Sequence, residues 1–413
     1  MGRLVEWTAQ LTSRDAPLEE FLAGHRVEVD LKDRIRALRA QLTSSTDYAS
    51  HQGATVTPRP FWVVDVRTAT RSSAKGAEEV VPLAEDGIAQ VHSSKRASRV
   101  QGQGKRKQVW RGISLSGEAP SQFLFGLLTS RYVGNFSVLH RDLCFLPAVE
   151  ENGRLNVYHH MAARPREQRT LQTENADELL VRNWVTQAQA QWKKGRKADQ
   201  QALCTERLDY NGSLSSQRAN SPRVVHTRSG TFYAALLRPT ADTSSGIRLN
   251  ELKVKFRRNE KVISSISKPL GGVVVDNLLH WMEVSSVHEG YWLVGILNSV
   301  PFIERLEKEV QNRDFYSAPS RLLSSQGLRF DSDNRTHTAI AECAKLIEGI
   351  KTAFDRTLLA EEIGKEALAE IDDSDASPEV PRLKWSFDQL CDVDKECAVA
   401  FAKINSLTSK LLR

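Results

Sequence analysis

Histidines and carboxylates are the side chains of this sequence best suited to catalysis or metal binding. Glu150 and Glu151 precede the pair His159-His160, and these residue types bind zinc. Their spacing matches no pair of ligands on one helix, so it favours loop residues that face solvent. Glu251-Leu-Lys253 has the acidic-x-lysine form of a nuclease strand, but such a tripeptide is common by chance. No serine or cysteine has a sequence neighbour that marks it as an activated nucleophile.

Basic residues form a second group with possible chemistry, and their distribution is uneven. The 413 residues include 57 Lys or Arg and 51 Asp or Glu, which gives a net charge of +6. No acidic residue lies between Asp86 and Glu118, and basic residues concentrate at 95–111, 207–238 and 253–261. Positive charge concentrated in loops neutralises the phosphates of nucleic acids. Solvated loops without a ligand are the alternative interpretation.

The elements that position these residues are predicted from the periodicity of apolar residues. Residues 4–42 are expected to be helical, because Leu31, Ile35, Leu38 and Leu42 recur at helical spacing. Further helices are predicted at 174–200, 291–297, 335–370 and 386–412. Strands are predicted at 61–66, 113–115, 123–125, 143–147, 223–226, 231–237 and 271–280. The pattern indicates an α+β fold, a mixed-sheet region with flanking α-helices and a helical C-terminal segment.

Three domains follow from this pattern: a helical lead-in over residues 1–50, a central region over 51–334 and C-terminal helices over 335–413. Within them, 93–108 is expected to be a mobile basic loop and 371–382 an acidic linker. Trp62, Trp110, Trp184 and Trp192 are predicted to pack in the core or between domains.

Composition restricts the cellular setting. The sequence is 40% hydrophobic and 26% charged, which is typical of globular proteins. It has no window of about 18 consecutive apolar residues, so no membrane-spanning helix is expected. The first residues lack the apolar stretch of a secretory signal. The five cysteines are scattered without a CxxC pair, which favours a reducing cytoplasm over a disulfide scaffold.

Four stretches, in this order, resemble the C-terminal half of long adenine-specific DNA methyltransferases of the fused type I/type IIG kind. The first is Gly53-Ala-Thr-Val-Thr-Pro-Arg59, and the second extends from Trp110 through Ser130-Arg-Tyr132 to Pro147. The third includes Arg207-Leu-Asp-Tyr210, Gln217, Arg223-Val-Val and Ser229-Gly-Thr231, and the fourth begins at Tyr291-Trp-Leu-Val-Gly-Ile-Leu-Asn298-Ser299. After Gln311 the sequence lacks the Gly-containing turn and the Leu-Pro-Ile-Pro run of that family.

The resemblance implies that residues 51–334 form a target-recognition region that docks on duplex DNA and reads base edges. In that family the transferase domain, which binds S-adenosylmethionine and flips the adenine, lies N-terminal to this region. The present sequence has no Pro-Pro dipeptide for the base-gripping motif, and Gly102-Gln-Gly104 is too short for a GxGxxG turn. We therefore expect no catalytic residue, cofactor or metal in this chain. S-adenosylmethionine is expected on a partner, either a methyltransferase catalytic subunit or an upstream half.

Arginines on loops between strands are the residues best able to read guanine, because a guanidinium binds O6 and N7 bidentately. Gln217 is a candidate for adenine in the same way. Ser229 and Thr231 are candidates for phosphate contacts. The predicted DNA-binding residues are Arg59, Arg111, Arg207, Gln217, Arg218, Arg223, Arg228, Ser229 and Thr231.

Two other functions stay open at this point. The chain is then either a stand-alone phage-defence nuclease or effector, or an inert remnant of a split methyltransferase. Duplex binding that weakens steeply with salt favours the recognition module, whereas metal-dependent cleavage by the purified chain favours the nuclease.

Overall fold

The structure is a computed structural model that describes residues 3–8, 25–30, 48–66, 70–72, 78–80, 88–94, 108–110, 112–138, 141–163, 175–197, 200–238, 252–256, 259–263, 271–310, 315–371 and 387–412. The chain divides into two compact units. One consists of Met1–Ala49 with Ser320–Arg329, and the other of Ser50–Pro319 with Phe330–Arg413. The C-terminal helices thus belong to the same unit as residues 50–319.

The strands, in chain order, are β1 Arg3–Thr8, β2 His25–Asp30, β3 His51–Gln52, β4 Val64–Val66, β5 Thr70–Ser72, β6 Glu78–Val80, β7 Ile88–Ser93, β8 Ser116–Pro120, β9 Leu124–Leu128, β10 Asp142–Phe145, β11 Ala148–Glu151, β12 Arg154–Val157, β13 Arg223–Thr227, β14 Ala234–Leu237, β15 Leu252–Phe256, β16 Asn259–Ile263, β17 Val273–Val275 and β18 Leu279–Glu283. The helices are α1 Arg59–Trp62, α2 Ala176–Gly195, α3 Cys204–Leu208, α4 Val287–Asn298, α5 Val300–Glu309, α6 Ala318–Ser325, α7 Arg335–Ile371, α8 Phe387–Val393 and α9 Lys395–Leu411.

The protein is α+β, with antiparallel and mixed sheets. A four-stranded antiparallel sheet has the order β14-β13-β18-β3. A three-stranded mixed sheet has the order β10-β9-β17, in which β17 is parallel to β9, and a second three-stranded sheet has the order β4-β7-β8. The hairpins β1–β2, β5–β6, β11–β12 and β15–β16 complete the described strands.

The predicted helical lead-in is wrong for two segments. Residues 3–8 and 25–30 are strands that pair antiparallel, from Arg3 opposite Asp30 to Thr8 opposite His25. His25-Arg-Val-Glu-Val-Asp30 alternates polar and β-branched residues, a pattern that is typical of a strand. The helical spacing that prompted the prediction lies at 31–42, outside the described residues.

Two of the predicted strands are broken by residues that favour other structures, a helical turn in one and a chain reversal in the other. In the run 61–66, the first residues belong to the short helix α1, because the fixed φ of Pro60 suits a first helical turn, and the strand begins only at Val64. The run 271–280 consists of β17 and β18 on either side of a turn. Asp276 and Asn277 occupy this turn, and both residue types favour turns over strands.

Most of the predicted helices are confirmed where an apolar stripe continues for several turns. α2, α4 and α7 lie within the predicted ranges or extend them by a few residues. The predicted last helix is instead two, because Asp394 begins a new helix by accepting a hydrogen bond from the Cys397 amide at 2.9 Å. None of the described helices has the length and the apolar character needed to cross a membrane. The loop 93–108 and the linker 371–382 lie largely outside the described residues.

Two apolar clusters support the sheets. The larger contains the four tryptophans predicted to be buried, and the Trp184 indole donates to the Phe61 carbonyl at 2.8 Å. The smaller lies under β13 and β18 and contains Val225, Val275 and Trp281. These clusters fix the strand ends at which the candidate site lies.

Candidate functional site

Arg59 stabilises the turn that joins β17 to β18. Its guanidinium lies 2.8 Å from the carboxylate of Asp276, which is almost fully buried. Burial raises the pKa of Asp276, and the Arg59 charge opposes that rise. Gly53 packs so closely here that a Cβ atom would lie 2.2 Å from the Asp276 carbonyl oxygen. The Gly53–Arg59 motif therefore holds the turn, and the side chain of Arg59 is only 18% exposed.

Gln217 and Arg223 lie in the interior, with no exposed surface. Gln217 accepts a hydrogen bond from the Val275 amide at 2.8 Å and donates to the Val275 carbonyl at 3.0 Å. Arg223 donates to the Val273 carbonyl at 2.6 Å and to the Gln217 side-chain oxygen at 3.2 Å. Burial lowers the pKa of Arg223 to about 10. Both side chains are enclosed and bonded within the protein, an arrangement in which neither presents its polar groups at the surface.

The β13–β14 loop, Arg228–Tyr233, presents polar residues to solvent from fixed ends. The Thr227 hydroxyl donates to the Thr231 carbonyl at 2.7 Å and accepts from the Tyr233 amide at 3.0 Å. The Thr227 amide also donates to the Tyr233 carbonyl at 3.0 Å. Ser229, Gly230 and Thr231 are exposed between these bonds, and Gly230 has a φ of 88°. The loop is therefore a preformed projection with two outward hydroxyl-bearing residues.

Arg228 lies at the base of this loop and is oriented by an aromatic ring. Its amide donates to the Leu278 carbonyl at 3.1 Å, and its carbonyl accepts from the Phe315 amide at 2.7 Å. The guanidinium carbon lies 4.3 Å from the centroid of the Tyr316 ring. Tyr316 is 40% exposed and Leu278 is 46% exposed. We call Arg228, Ser229, Thr231, Leu278 and Tyr316 the exposed edge.

A serine and two histidines lie behind the exposed edge. The Ser50 hydroxyl is 3.1 Å from His226 Nε2, 3.3 Å from His280 Nδ1 and 3.1 Å from the Tyr316 carbonyl oxygen. Burial, with a smaller effect of His280, lowers the pKa of His226 to about 3. A histidine with so low a pKa is a weak base, so His226 is poorly suited to take the proton of the Ser50 hydroxyl. The bond from Ser50 to the Tyr316 backbone instead supports the ring that stacks on Arg228.

The contacts given for Arg207 and Arg218, two further predicted DNA-binding residues, are with residues outside the exposed edge. Arg207 lies with its guanidinium carbon 5.2 Å from the Tyr210 ring centroid. Arg218 forms a partly exposed ion pair with Glu283 at 3.1 Å. Arg111 lies outside the described residues.

The sequence prediction missed several members of the site. Tyr316 follows Gln311, in the segment where the resemblance fails, so no motif marked it. A second omission is the basic turn at the end of α2, formed by Lys193, Lys194, Arg196 and Lys197, of which the three lysines are exposed. Trp110, the residue soon after the basic segment 95–107, stacks on Trp192 of the same helix at 5.4 Å between ring centroids. Trp110 thus packs against the helix whose end carries this basic turn.

The acidic and histidine residues considered for metal binding have other partners. Glu150 accepts from the amide and the side chain of Asn220, at 2.9 and 2.7 Å. His159 lies 3.9 Å from the Asp209 carboxylate. Within the described ranges, no three His, Cys, Asp or Glu residues are grouped in a way that would hold a metal ion. Glu251 of the acidic-x-lysine tripeptide is outside those ranges.

No protein-family model matches the sequence, and no curated protein matches it either.

Proposed function

We propose that this chain is the sequence-specific duplex DNA recognition module of a restriction–modification adenine methyltransferase, either a specificity subunit or a C-terminal half. The observation that carries the proposal is the exposed edge. It combines an aromatic-stacked arginine and two exposed hydroxyl-bearing residues on the β13–β14 loop with an exposed leucine on the adjacent β17–β18 turn. Together with the motif resemblance, this composition favours DNA over a small-molecule substrate.

Arg228 is suited to read a guanine. Stacking on Tyr316 restricts the rotamers of the side chain before DNA arrives, so less conformational entropy is lost on binding. A planar guanidinium presents a pair of N–H groups that match O6 and N7 in the major groove. Leu278, exposed beside it, provides apolar surface for a thymine methyl group.

Ser229 and Thr231 are suited to contact phosphate. Hydroxyl groups and backbone amides on loops supply a large share of the hydrogen bonds between proteins and the DNA backbone, and these contacts fix the register of the protein on the duplex. The exposed lysines at the end of α2 add contacts that do not depend on sequence. Because such contacts release counterions, affinity for any duplex should fall as salt concentration rises.

The proposal places methyl transfer on another chain. A methyltransferase catalytic subunit or upstream half would bind S-adenosylmethionine and the flipped adenine, and the present chain would supply the target sequence. Co-purification with such a partner, and methylation of adenine only when both are present, are the expected results. Methylation by this chain alone contradicts the proposal.

The experiment is selection of bound duplexes from a random-sequence pool by the purified full chain. We expect Arg228→Gln to lose preference at one base pair, which amounts to about 1–3 kcal/mol of discrimination. Arg335→Gln, which removes the same charge from the exposed start of α7, is the control and should select the same sequences as the wild type. Identical selections by the Arg228 variant and the wild type contradict the assignment. Cleavage of the pool on addition of a divalent metal would instead indicate a nuclease.

A further inference from the structure

The short helix α8 packs against α9 through one stripe of residues on each helix. Leu390 and Cys391 lie three and four residues after Phe387, which places all three on one face of α8. Cys397 and Phe401 of α9 also lie four residues apart. The rings of Phe387 and Phe401 meet edge to face, with 4.6 Å between their centroids. Each cysteine is one helical turn from its phenylalanine, so this contact brings the two cysteines together where the chain turns from α8 to α9.

The turn between the helices holds the cysteines close together. The Asp394 amide donates to the Leu390 carbonyl at 2.8 Å, and the Asp394 carboxylate accepts from the Cys397 amide at 2.9 Å. The sulfur atoms of Cys391 and Cys397 lie 3.9 Å apart, within hydrogen-bonding distance for a thiol. Sulfurs in contact need only a small further approach to reach the disulfide bond length of about 2 Å.

The two cysteines differ in exposure. None of the five cysteines, all of which the structure describes, is in a disulfide, and Cys391 is partly exposed whereas the other four are buried. Burial raises the pKa of Cys397 to about 12, and Cys391 adds to the rise. Because the thiolate is the nucleophile in thiol–disulfide exchange, a buried thiol with a raised pKa reacts poorly with a dissolved oxidant. Cys391 is therefore the cysteine that an oxidant reaches first.

We propose that Cys391 and Cys397 form a redox-sensitive dithiol, which a low-molecular-weight disulfide such as oxidised glutathione converts to an intramolecular disulfide. The Cys391 thiolate attacks one sulfur of the oxidant, and the first glutathione leaves as a thiolate that takes up a proton. The Cys397 thiol then loses its proton to solvent and its sulfur attacks the Cys391 sulfur, which expels the second glutathione. Two protein thiols thus become one disulfide while oxidised glutathione becomes two reduced molecules, a transfer of two electrons and two protons. The proposal does not depend on the proposed function.

The disulfide would fasten α8 to the neighbouring elements. α8 has only seven residues, fewer than an isolated helix needs to be stable in water, so it depends on its contacts. Its Phe387 ring also lies 5.2 Å from that of Phe136, whose amide donates to the carbonyl of Ala234 in β14 at 2.9 Å. A bond between Cys391 and Cys397 restricts the unfolded chain and holds α8 against α9. The oxidised protein is therefore expected to be the more stable form.

The test exposes the purified, reduced full chain in its folded state to oxidised glutathione and counts thiols after denaturation. We expect two of the five thiols to be lost. Trypsin cleaves after Lys395, between the two cysteines, so the disulfide should join the peptides 385–395 and 396–403 until it is reduced. Cys343→Ser, which removes a buried cysteine outside the pair, is the control and should also lose two thiols.

Single variants separate the two steps. Cys391→Ser should lose no thiol, because the oxidant does not reach the buried Cys397. Cys397→Ser should retain glutathione on Cys391, because the second attack has no nucleophile. Oxidation should raise the Tm of the wild type by a few degrees, reversibly on addition of dithiothreitol, and leave that of Cys391→Ser unchanged. A folded wild type that keeps all its thiols, or that loses them from Cys144 or in a cross-link between other peptides, would overturn the proposal.

Discussion

Replacing Gln217 by Ala should lower the free energy of unfolding. Glutamine is a residue type that can bind adenine, but here its contacts are with the protein backbone. The side chain is fully buried and is hydrogen-bonded to both backbone groups of Val275. The Val275 carbonyl keeps the Ala54 amide as a second donor at 2.7 Å, but the Val275 amide and one donor of Arg223 lose their acceptor. A buried group left unpaired costs about 1–3 kcal/mol. Two such groups predict a loss of about 2–6 kcal/mol in the free energy of unfolding.

Urea unfolding followed by tryptophan fluorescence measures this loss. Gln187→Ala is the matched control, because Gln187 is exposed on α2 and makes only long hydrogen bonds, of 3.3 and 3.4 Å. Its effect should stay within about 0.5 kcal/mol. A Gln217→Ala variant that keeps the stability of the wild type but loses DNA affinity would refute the assignment of Gln217 to the interior.

Three further predictions concern the framework of the site. Gly53→Ala should destabilise the protein by about 1–3 kcal/mol, because the new Cβ would clash with Asp276. Gly349→Ala, which adds a Cβ in open space on α7, should stabilise it by about 1 kcal/mol. Thermal unfolding of the two variants measures both changes. Arg59→Gln should cost about 3–5 kcal/mol by leaving Asp276 buried and unpaired, and urea unfolding that shows no change would contradict this. Because the pKa of His226 is lowered to about 3, the unfolded state binds a proton that the folded state does not between pH 6.5 and 3. Stability should therefore fall as the pH drops through that range, by up to about 1.4 kcal/mol per pH unit, and parallel pH curves for His226→Gln and the wild type would contradict the prediction.

The sequence predicts the elements whose pattern is local. α2 and α7 carry apolar residues at helical spacing over several turns, so their positions follow from the residues themselves. β1 and β2 have six residues each, and the prediction extends the helical spacing at 31–42 over them although His25–Asp30 alternates like a strand. The turn at Asp276 was likewise hidden in an apolar run, although its residue types favour a turn.

The roles of the arginines depend on tertiary contacts that no local pattern encodes. Arg223 and Arg228 lie only five residues apart, Arg223 at the start of β13 and Arg228 just beyond its end. The first is enclosed because the Val273 carbonyl and Gln217 accept its hydrogen bonds, and the second is partly exposed beside Tyr316. Tyr316 comes from a distant segment, so the stacking that orients Arg228 could be found only in the fold.

The most direct test of DNA recognition compares the affinity of the purified chain for its selected duplex with that for a shuffled duplex of the same composition. Fluorescence anisotropy at several salt concentrations measures both affinities. The account predicts that the selected duplex binds at least about 10³-fold more tightly, and that affinity for both duplexes falls with salt. Equal affinities for the two duplexes, or no binding to either, would contradict it.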